Sequence, residues 1–368
     1  MSAAETQYFA LLRAALWGAP FAIDGPIDWE AVMQIADFHG NSVLLADLAA
    51  KMDDDNLPSP KMLAKMQTVM RDNLVHHLRL RQILVSAVKL LREHGIEPIL
   101  LKGFGLASLY PNPSLRQFGD IDIFVGLDDF HEACALLRTL PGGYNWGEEV
   151  DSGKHYNIEF GQYPMEIHRV SSDLEDAKEQ SLYAAMEQEG LLNHPQRFDF
   201  DGFEISIPSR EFAVFFTFYH AWHHFLTTGV GWRQLSDVAL ALHAYHGQLD
   251  IEKLRRWLDS LHLMQPWHAF GYLIVDRLGL PAIEMPFYDS AYRRKAAKIY
   301  RYIMKEGNFK RVNSFKNKNP RRRVWRKIHS FICIFIDFFH RVGVFPVVAF
   351  RELRLAFKVG LKKNFKKK

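Results

Sequence analysis

Hydrophobic positions recur with two different periods along the chain, and these periods divide it into regions. Residues 1–95 carry apolar side chains at helical spacing, and the longest stripe runs over Met66–Leu91. Between residues 96 and 172 the apolar runs become short and several alternate with a period of two, which is typical of strands. Residues 173–300 return mainly to helical spacing. The pattern predicts an α+β (mixed α/β) protein in which N- and C-terminal helical regions flank a small sheet.

The most informative stretch is EPILLKGFGLASLYPNPSLRQFGDIDIFV, at residues 97–125. Its first apolar run stops at Lys102 and Gly103, as expected for a buried strand that ends in a tight turn. A short helical pattern follows and is ended by two prolines. The closing Gly-Asp-Ile-Asp-Ile-Phe-Val reads as a second strand, whose period places Asp120 and Asp122 on one face.

Two carboxylates on one strand face can share a hard divalent cation. Mg²⁺ prefers oxygen ligands and commonly takes one or two carboxylates together with substrate phosphates. Gly103 lets the backbone approach phosphates closely, and the N–H groups that open the next helix favour an anion. This combination indicates phosphoryl or nucleotidyl transfer. The structural alternative is a solvated strand face that happens to carry two acids.

These motifs resemble the uncharacterised nucleotidyltransferase family of the polymerase-β-like superfamily. The matching residues are Leu100, Leu101, Lys102, Gly103, Arg116, Gly119, Asp120 and Asp122. The resemblance implies a small nucleotidyltransferase sheet at residues 96–172, with Mg²⁺ (or Mn²⁺) at the two aspartates. It also implies that nucleotide is bound by Lys102, Gly103, Arg116 and Gly119. The chain departs from the wider superfamily, in which a Gly-Ser pair usually opens the helix, because Phe104 follows Gly103. A serine contact to the triphosphate is therefore not implied.

A third carboxylate is expected on a hairpin that runs over His155–Phe160 and Met165–Val170, with a turn at a Gly-Gln pair. A two-metal site needs such a group on a neighbouring strand. The resemblance places it at the E-x-H step, which makes Glu166 the candidate metal ligand and catalytic residue, with Glu159 as the alternative. A surface position is the structural alternative for Glu166. His168 shares its face and is a substrate-side candidate or a structural histidine.

Further substrate-side candidates lie in the helical region after residue 173. His220 and His224 stand at i, i+4 on an aromatic-rich helix, without the H-E-x-x-H pattern of a zinc protease. His220, Arg233 and Asp237 resemble the helical half of the same family, which implies contact with substrate across the cleft. An i, i+4 ion pair between Arg233 and Asp237 is the structural alternative.

The charge distribution sets the tail, residues 301–368, apart from the rest. The net charge is +4, yet residues 309–368 alone carry +16, which leaves −12 on the preceding residues. A basic, aromatic-rich segment suits an anionic membrane surface or nucleic acid. Cys134 and Cys333 form no CxxC pair, and the N-terminus has no charged region of a signal peptide. We therefore expect a cytoplasmic protein, with peripheral attachment at the inner face of the membrane as a second expectation.

The sequence favours a metal-dependent nucleotidyltransferase that transfers a nucleoside monophosphate from an NTP to an acceptor hydroxyl and releases pyrophosphate. One alternative is a catalytically degenerate module that binds nucleotide or a partner, and the absent serine motivates it. Another is a membrane or nucleic-acid adaptor that acts through the basic tail. The acceptor, the preferred base and the oligomeric state stay open at this level.

Overall fold

The computed structural model describes residues 1–21, 23, 25–52, 56–144, 155–174, 176–200, 202–307, 342–351 and 353–354. Most of the predicted basic tail, including its arginine run at 321–323, lies outside the described residues, as does Cys333. Among the described residues, no helix is both long enough and apolar enough to cross a membrane.

Twelve α-helices cover most of the described chain. They are α1 (Ala3–Trp17), α2 (Trp29–His39), α3 (Ser42–Ala49), α4 (Pro60–Glu93), α5 (Phe104–Ala107), α6 (Phe130–Leu137), α7 (Ala177–Glu187), α8 (Arg210–Leu226), α9 (Trp232–Ala244), α10 (Ile251–Ser260), α11 (Met264–Leu273) and α12 (Arg293–Glu306). Side-chain caps start several of them. The Ser59 hydroxyl accepts from the Met62 N–H at the start of α4, and Ser209 does the same for α8 through Phe212.

A seven-stranded mixed sheet lies among these helices. Its strands are β1 (Ile99–Leu100), β2 (Ile121–Phe124), β3 (Gly143–Tyr144), β4 (His155–Phe160), β5 (Tyr163–His168), β6 (Gln196–Phe200) and β7 (Phe203–Ile207). Their spatial order is β3-β4-β5-β2-β1-β7-β6. Strand β2 pairs parallel with β5 and antiparallel with β1, while β1 pairs parallel with β7. The predicted α+β class is confirmed.

The sheet extends beyond the segment predicted to form it. The β6–β7 hairpin pairs with β1 through Ile99 and Ser206, so a core of residues 96–172 omits two of the seven strands. Residues 203–207 alternate apolar and polar side chains as a strand does, but nothing in their local pattern specifies this neighbour. Helix α5 is also shorter than the apolar pattern that follows Gly103 suggests, since it has only four residues.

Two hydrophobic clusters fix the sheet between its helices. On one face, Ile121 and Ile123 pack in a cluster with residues of α4 and α6, among them Leu84 and Leu137. The other cluster joins the N-terminal helices to α8–α12, the C-terminal helical lobe, and includes Phe124. Since successive side chains of a strand point to opposite faces, Asp122 is directed away from its isoleucine neighbours and toward the helical lobe.

A described part of the tail packs on this lobe. Phe345 is buried and meets Trp222 edge-on at 5.1 Å between ring centroids. The Lys298 Nζ donates to the Gly343 carbonyl, and Arg351 pairs with Glu179 at 3.0 Å. Residues 342–351 are thus attached to the folded body by apolar and polar contacts. The predicted membrane or nucleic-acid partner of the tail stays a prediction.

Candidate active site

The strand register brings three predicted acidic residues together. In the parallel pairing of β2 with β5, Asp122 stands opposite Glu166, and Asp120 lies one residue before β2 begins. Asp122 is fully buried, whereas Asp120 and Glu166 are half-buried. Glu159 pairs with Pro164 at the far end of β4, away from this group. Of the two alternatives for a third carboxylate, Glu166 is the one that lies beside the aspartates.

A cavity of about 590 Å³ opens over these residues, between the sheet and the helical lobe. Nine of the predicted site residues line it: Lys102, Gly103, Arg116, Gly119, Asp120, Glu166, His220, Arg233 and Asp237. Asp122 and His168 lie beneath it and contact its lining residues. The cavity is large enough for a small-molecule substrate. The fold therefore brings residues from positions 102 to 237 of the sequence together around one cavity.

The buried Asp122 carboxylate is held by two nitrogen groups. Its Oδ1 lies 3.0 Å from the Lys102 Nζ and 3.1 Å from the His168 Nε2. Burial acts to raise the pKa of Asp122, but the Lys102 charge and the His168 hydrogen bond outweigh it and hold that pKa below its usual range. Burial likewise acts to lower the pKa of Lys102, and the three carboxylates outweigh it, so Lys102 stays charged.

Asp120 has the opposite electrostatic balance. The charge of Asp122 raises the pKa of Asp120 first, and burial raises it further, while Lys102 opposes both. For Glu166, burial acts to raise the pKa, but the hydrogen bond with His168 keeps the net pKa below its usual value. The site thus concentrates negative charge that Lys102, with a smaller contribution from Arg233, only partly offsets.

These residues fit a divalent cation. Asp122 Oδ2 is buried and has no hydrogen-bond partner among the described residues. A buried carboxylate oxygen without a partner is unfavourable, and a cation shared with Asp120 would satisfy it. His155, Glu166 and His168 also place three ligand atoms within 4.8 Å of one another. The donor atoms therefore support a metal on this face of strands β2, β4 and β5 without identifying the ion.

Gly103 shapes one wall of the cavity through its backbone. Its φ of 64° lies in the left-handed region that favours glycine. A Cβ at this position would lie 3.5 Å from the Phe118 ring, so the conformation rather than space excludes other residues. The Gly103 carbonyl accepts from Arg116 Nη1 at 3.3 Å. Because α5 is short, the anion-binding potential here rests on single backbone N–H groups.

Arg116 and Asp237 form a buried ion pair between the core and the helical lobe. Arg116 Nε and Nη2 donate to Asp237 Oδ1 and Oδ2 at 2.8 and 2.9 Å, and both residues are only 3% exposed. The Tyr110 hydroxyl donates to the same carboxylate at 2.9 Å. Arg233 lies 3.6 Å from Asp237 in the predicted i, i+4 pair, so that pair exists but is the longer one. The predicted nucleotide contact of Arg116 stays a prediction, since its guanidinium already has this partner.

A chain of polar groups leads from Lys102 into α8. The Lys102 Nζ lies 3.5 Å from the His220 Nε2, which is 3.0 Å from the His224 Nε2. His224 Nδ1 in turn lies 2.7 Å from the Thr228 hydroxyl. Helix α8 therefore extends the polar network of the acidic residues through two histidines.

Sequence reasoning did not identify His155 as a site residue, yet it lines the cavity. A signal for it is present in the sequence. A two-residue turn at Gly161-Gln162 fixes the hairpin register, and that register pairs His155 directly with His168. His155 therefore had to share a face with His168 and Glu166. Tyr110, by contrast, reaches Asp237 through a contact 127 residues away in sequence, which no local pattern indicates.

Comparison with protein families decides the relationship of this chain. The sequence model of the family described as "uncharacterised nucleotidyltransferase" matches residues 25–279. The chain belongs to this family. The range that matches the uncharacterised nucleotidyltransferases contains every predicted site residue and ends before the basic tail. Family membership supports nucleotidyl transfer at a general level, and with it an NTP substrate.

Other comparisons add little to this assignment. None of the curated proteins matches the chain. Among solved structures, the chain is similar to the crystal structure of an antigenic nucleotidyltransferase-like protein from Paracoccidioides brasiliensis, at 13% sequence identity and a TM-score of 0.36. The similarity covers 58% of this chain and 96% of the other. At that score it carries no argument about the site.

Proposed function

We propose that the protein is a metal-dependent nucleotidyltransferase that transfers a nucleoside monophosphate from an NTP to an acceptor hydroxyl. The observation that carries the proposal is the convergence of Asp120, Asp122 and Glu166 at one cavity, in which one oxygen of Asp122 is buried without a partner among the described residues. Family membership supports the reaction class independently of this geometry.

In this proposal the three carboxylates hold Mg²⁺ or Mn²⁺. When bound, the ion would neutralise the triphosphate and favour ionisation of the acceptor hydroxyl. Lys102 adds a fixed positive charge at the same place. Gly103 and Gly119 also line the cavity, and in this proposal backbone N–H groups there donate to the phosphates. His220 and Arg233 line the opposite wall, where they can contact base, sugar or acceptor.

The proposed chemistry is a single displacement at the α-phosphorus. The acceptor oxygen forms a bond to this atom while the bond to the bridging oxygen breaks, and pyrophosphate leaves. The proton of the acceptor hydroxyl passes to a base, for which Glu166 is the candidate because its carboxylate faces the cavity and has a pKa below its usual value. No oxidation state changes in this reaction, so it requires no oxidant or reductant.

The test is a titration of the purified full-length chain with each NTP, with and without Mg²⁺ or Mn²⁺, while pyrophosphate release is followed in cell extract as a source of acceptor. The test variant is Asp120→Asn/Asp122→Asn, and Asp128→Asn, an exposed acid outside the cavity, is the matched control. We expect metal-dependent binding and pyrophosphate release that only the double variant loses. Equal behaviour of the double variant and the wild type would refute the proposal.

A degenerate binding module is the second candidate, and one contact favours it. The Lys102 ammonium already sits on Asp122 Oδ1, so this carboxylate has a cation without any metal. Metal-dependent nucleotide binding without pyrophosphate release in any extract would select this function. An adaptor role of the tail rests on its basic residues, most of which lie outside the described part of the chain. Deletion of residues 309–368 tests it, because loss of membrane or RNA sedimentation with turnover retained would identify a localising segment.

A further inference from the structure

The β4–β5 hairpin carries three potential metal ligands on one face. The antiparallel register pairs His155 with His168, and Glu166 precedes His168 by two residues on the same strand. The strand period therefore directs all three side chains to the cavity side of the sheet. The Glu166 Oε2 lies 3.4 Å from the His168 Nε2 and 3.9 Å from the His155 Nε2.

These separations approach those of a coordination sphere. Zn²⁺ binds histidine nitrogen and carboxylate oxygen at about 2.0–2.2 Å, so two ligands of a tetrahedral ion lie roughly 3.3–3.5 Å apart. The Glu166–His168 pair already has this spacing, and the Glu166–His155 distance exceeds it by about 0.5 Å. His155 and Glu166 are 22% and 28% exposed, so an ion can reach them from the cavity.

The chemistry of this set differs from that of the aspartate pair. Mg²⁺ prefers oxygen ligands, whereas imidazole nitrogen suits zinc and other late first-row ions. Asp122 Oδ1 lies 3.1 Å from the His168 Nε2 and is a fourth potential ligand atom next to the set. Glu166 belongs both to the carboxylate set and to the histidine-containing set, so the two sets share one ligand.

We propose that His155, Glu166 and His168 form a mixed nitrogen–oxygen site for a transition-metal ion of the zinc class. The proposal deepens the proposed function by giving Glu166 a second set of metal ligands, and it rests on that function only for the catalytic use of the ion. Binding of the ion itself needs no nucleotide. His155 distinguishes the new site, since it contributes nothing to an all-carboxylate centre.

The competing explanation is that the histidines only stabilise the hairpin and the buried Asp122. In that case Zn²⁺ would not bind to the histidines, and each histidine could be replaced without a change in Zn²⁺ affinity. The two explanations differ in the metal affinity of His155 variants, whether or not the protein proves to be an enzyme.

The experiment titrates metal-stripped full-length protein with Zn²⁺ in competition with a chromophoric chelator. A parallel titration with Co²⁺ reports the ligand field through its visible absorption. The variants are His155→Ala and the polar His155→Gln, and each is checked for folding by thermal unfolding. His131→Ala, an exposed histidine on α6, is the matched control, and Asp120→Asn tests the aspartate pair.

We expect one Zn²⁺ per chain and a Co²⁺ spectrum of low coordination number in the wild type, His131→Ala and Asp120→Asn. Both His155 variants should bind Zn²⁺ at least about tenfold more weakly and lose that spectrum. Equal Zn²⁺ affinity of the wild type and a folded His155 variant would overturn the proposal. Zn²⁺ binding that depends on His155 in a protein without NTP binding would support this site and refute the proposed function alone.

Discussion

Asp237→Asn should strongly destabilise the protein, because Asp237 is the only described carboxylate in hydrogen-bonding contact with the Arg116 guanidinium. Two short hydrogen bonds and the Tyr110 hydroxyl converge on it in an environment that is 3% exposed. Arg233 adds a second guanidinium at 3.6 Å. Removing the negative charge leaves the buried Arg116 and the half-buried Arg233 without their shared counter-ion. The pKa of Arg233 is already lowered, first by burial and then by the Arg116 charge.

The expected magnitude follows from this burial. Breaking a buried ion pair by removing one partner costs about 3–5 kcal/mol, much of it from the charge that is left behind. At roughly 2 °C per kcal/mol, this corresponds to a fall in Tm of about 6–10 °C. Thermal unfolding followed by circular dichroism measures the change. Asp47→Asn is the matched control, because the Asp47–Lys51 pair is exposed on Lys51 and should contribute less than about 1 kcal/mol.

A second variant separates charge from packing. Arg116→Met/Asp237→Leu replaces both partners by apolar side chains of similar volume and leaves less uncompensated charge than Asp237→Asn alone. We therefore expect the double variant to be the more stable of the two. A Tm for Asp237→Asn within about 2 °C of wild type would refute the reasoning, since the pair would then contribute no more than an exposed one.

Three further changes test the electrostatics and packing. Asp120→Asn should increase the free energy of unfolding of the metal-free protein by up to about 2 kcal/mol, because it removes the repulsion between Asp120 and Asp122. The Tm should rise accordingly, and an unchanged or lower Tm would contradict this. His39 is buried, which lowers its pKa to about 3, so stability should fall as the pH drops from about 6.5 toward 3, on the order of 2 kcal/mol by pH 5. Unfolding of His39→Gln at pH 7 and 5 checks this, since the variant should lose much of that slope. Gly190→Ala should cost about 1–3 kcal/mol in chemical denaturation, because its Cβ would clash with the Cβ of Phe212; wild-type stability would refute the close packing.

Much of the acidic site could be predicted because its determinants are local. The period of two fixes which side chains of β2 share a face, and the resemblance supplied the E-x-H step on β5. The parallel register that sets Asp122 opposite Glu166 depends on the tertiary fold. The E-x-H step nevertheless pointed to Glu166 as the partner of the aspartates. Local sequence patterns thus predict which residues form the site better than they predict the tertiary contacts among those residues.

Contacts between distant segments could not be predicted. Asp237 has two basic neighbours, and the sequence suggested Arg233 because i, i+4 spacing is visible in a helix. The shorter contacts go to Arg116, 121 residues away. Similarly, Phe203–Ile207 alternates as a strand does, but its place beside β1 depends on a long connection that passes through β2 to β6. Long-range packing decides such pairings, and one sequence does not encode them in any local period.

The contact between Lys102 and Asp122 has a consequence for the order of ligand binding. The ammonium acts as a resident counter-ion, so a divalent cation approaching alone must compete with it for the same carboxylate. The phosphates of a nucleotide offer Lys102 an alternative partner and so reduce that competition. By linkage, each ligand then raises the affinity for the other by the same factor. On the proposed function, we therefore expect free Mg²⁺ or Mn²⁺ to bind weakly to Asp120 and Asp122, and the metal–nucleotide complex to be the species that binds tightly.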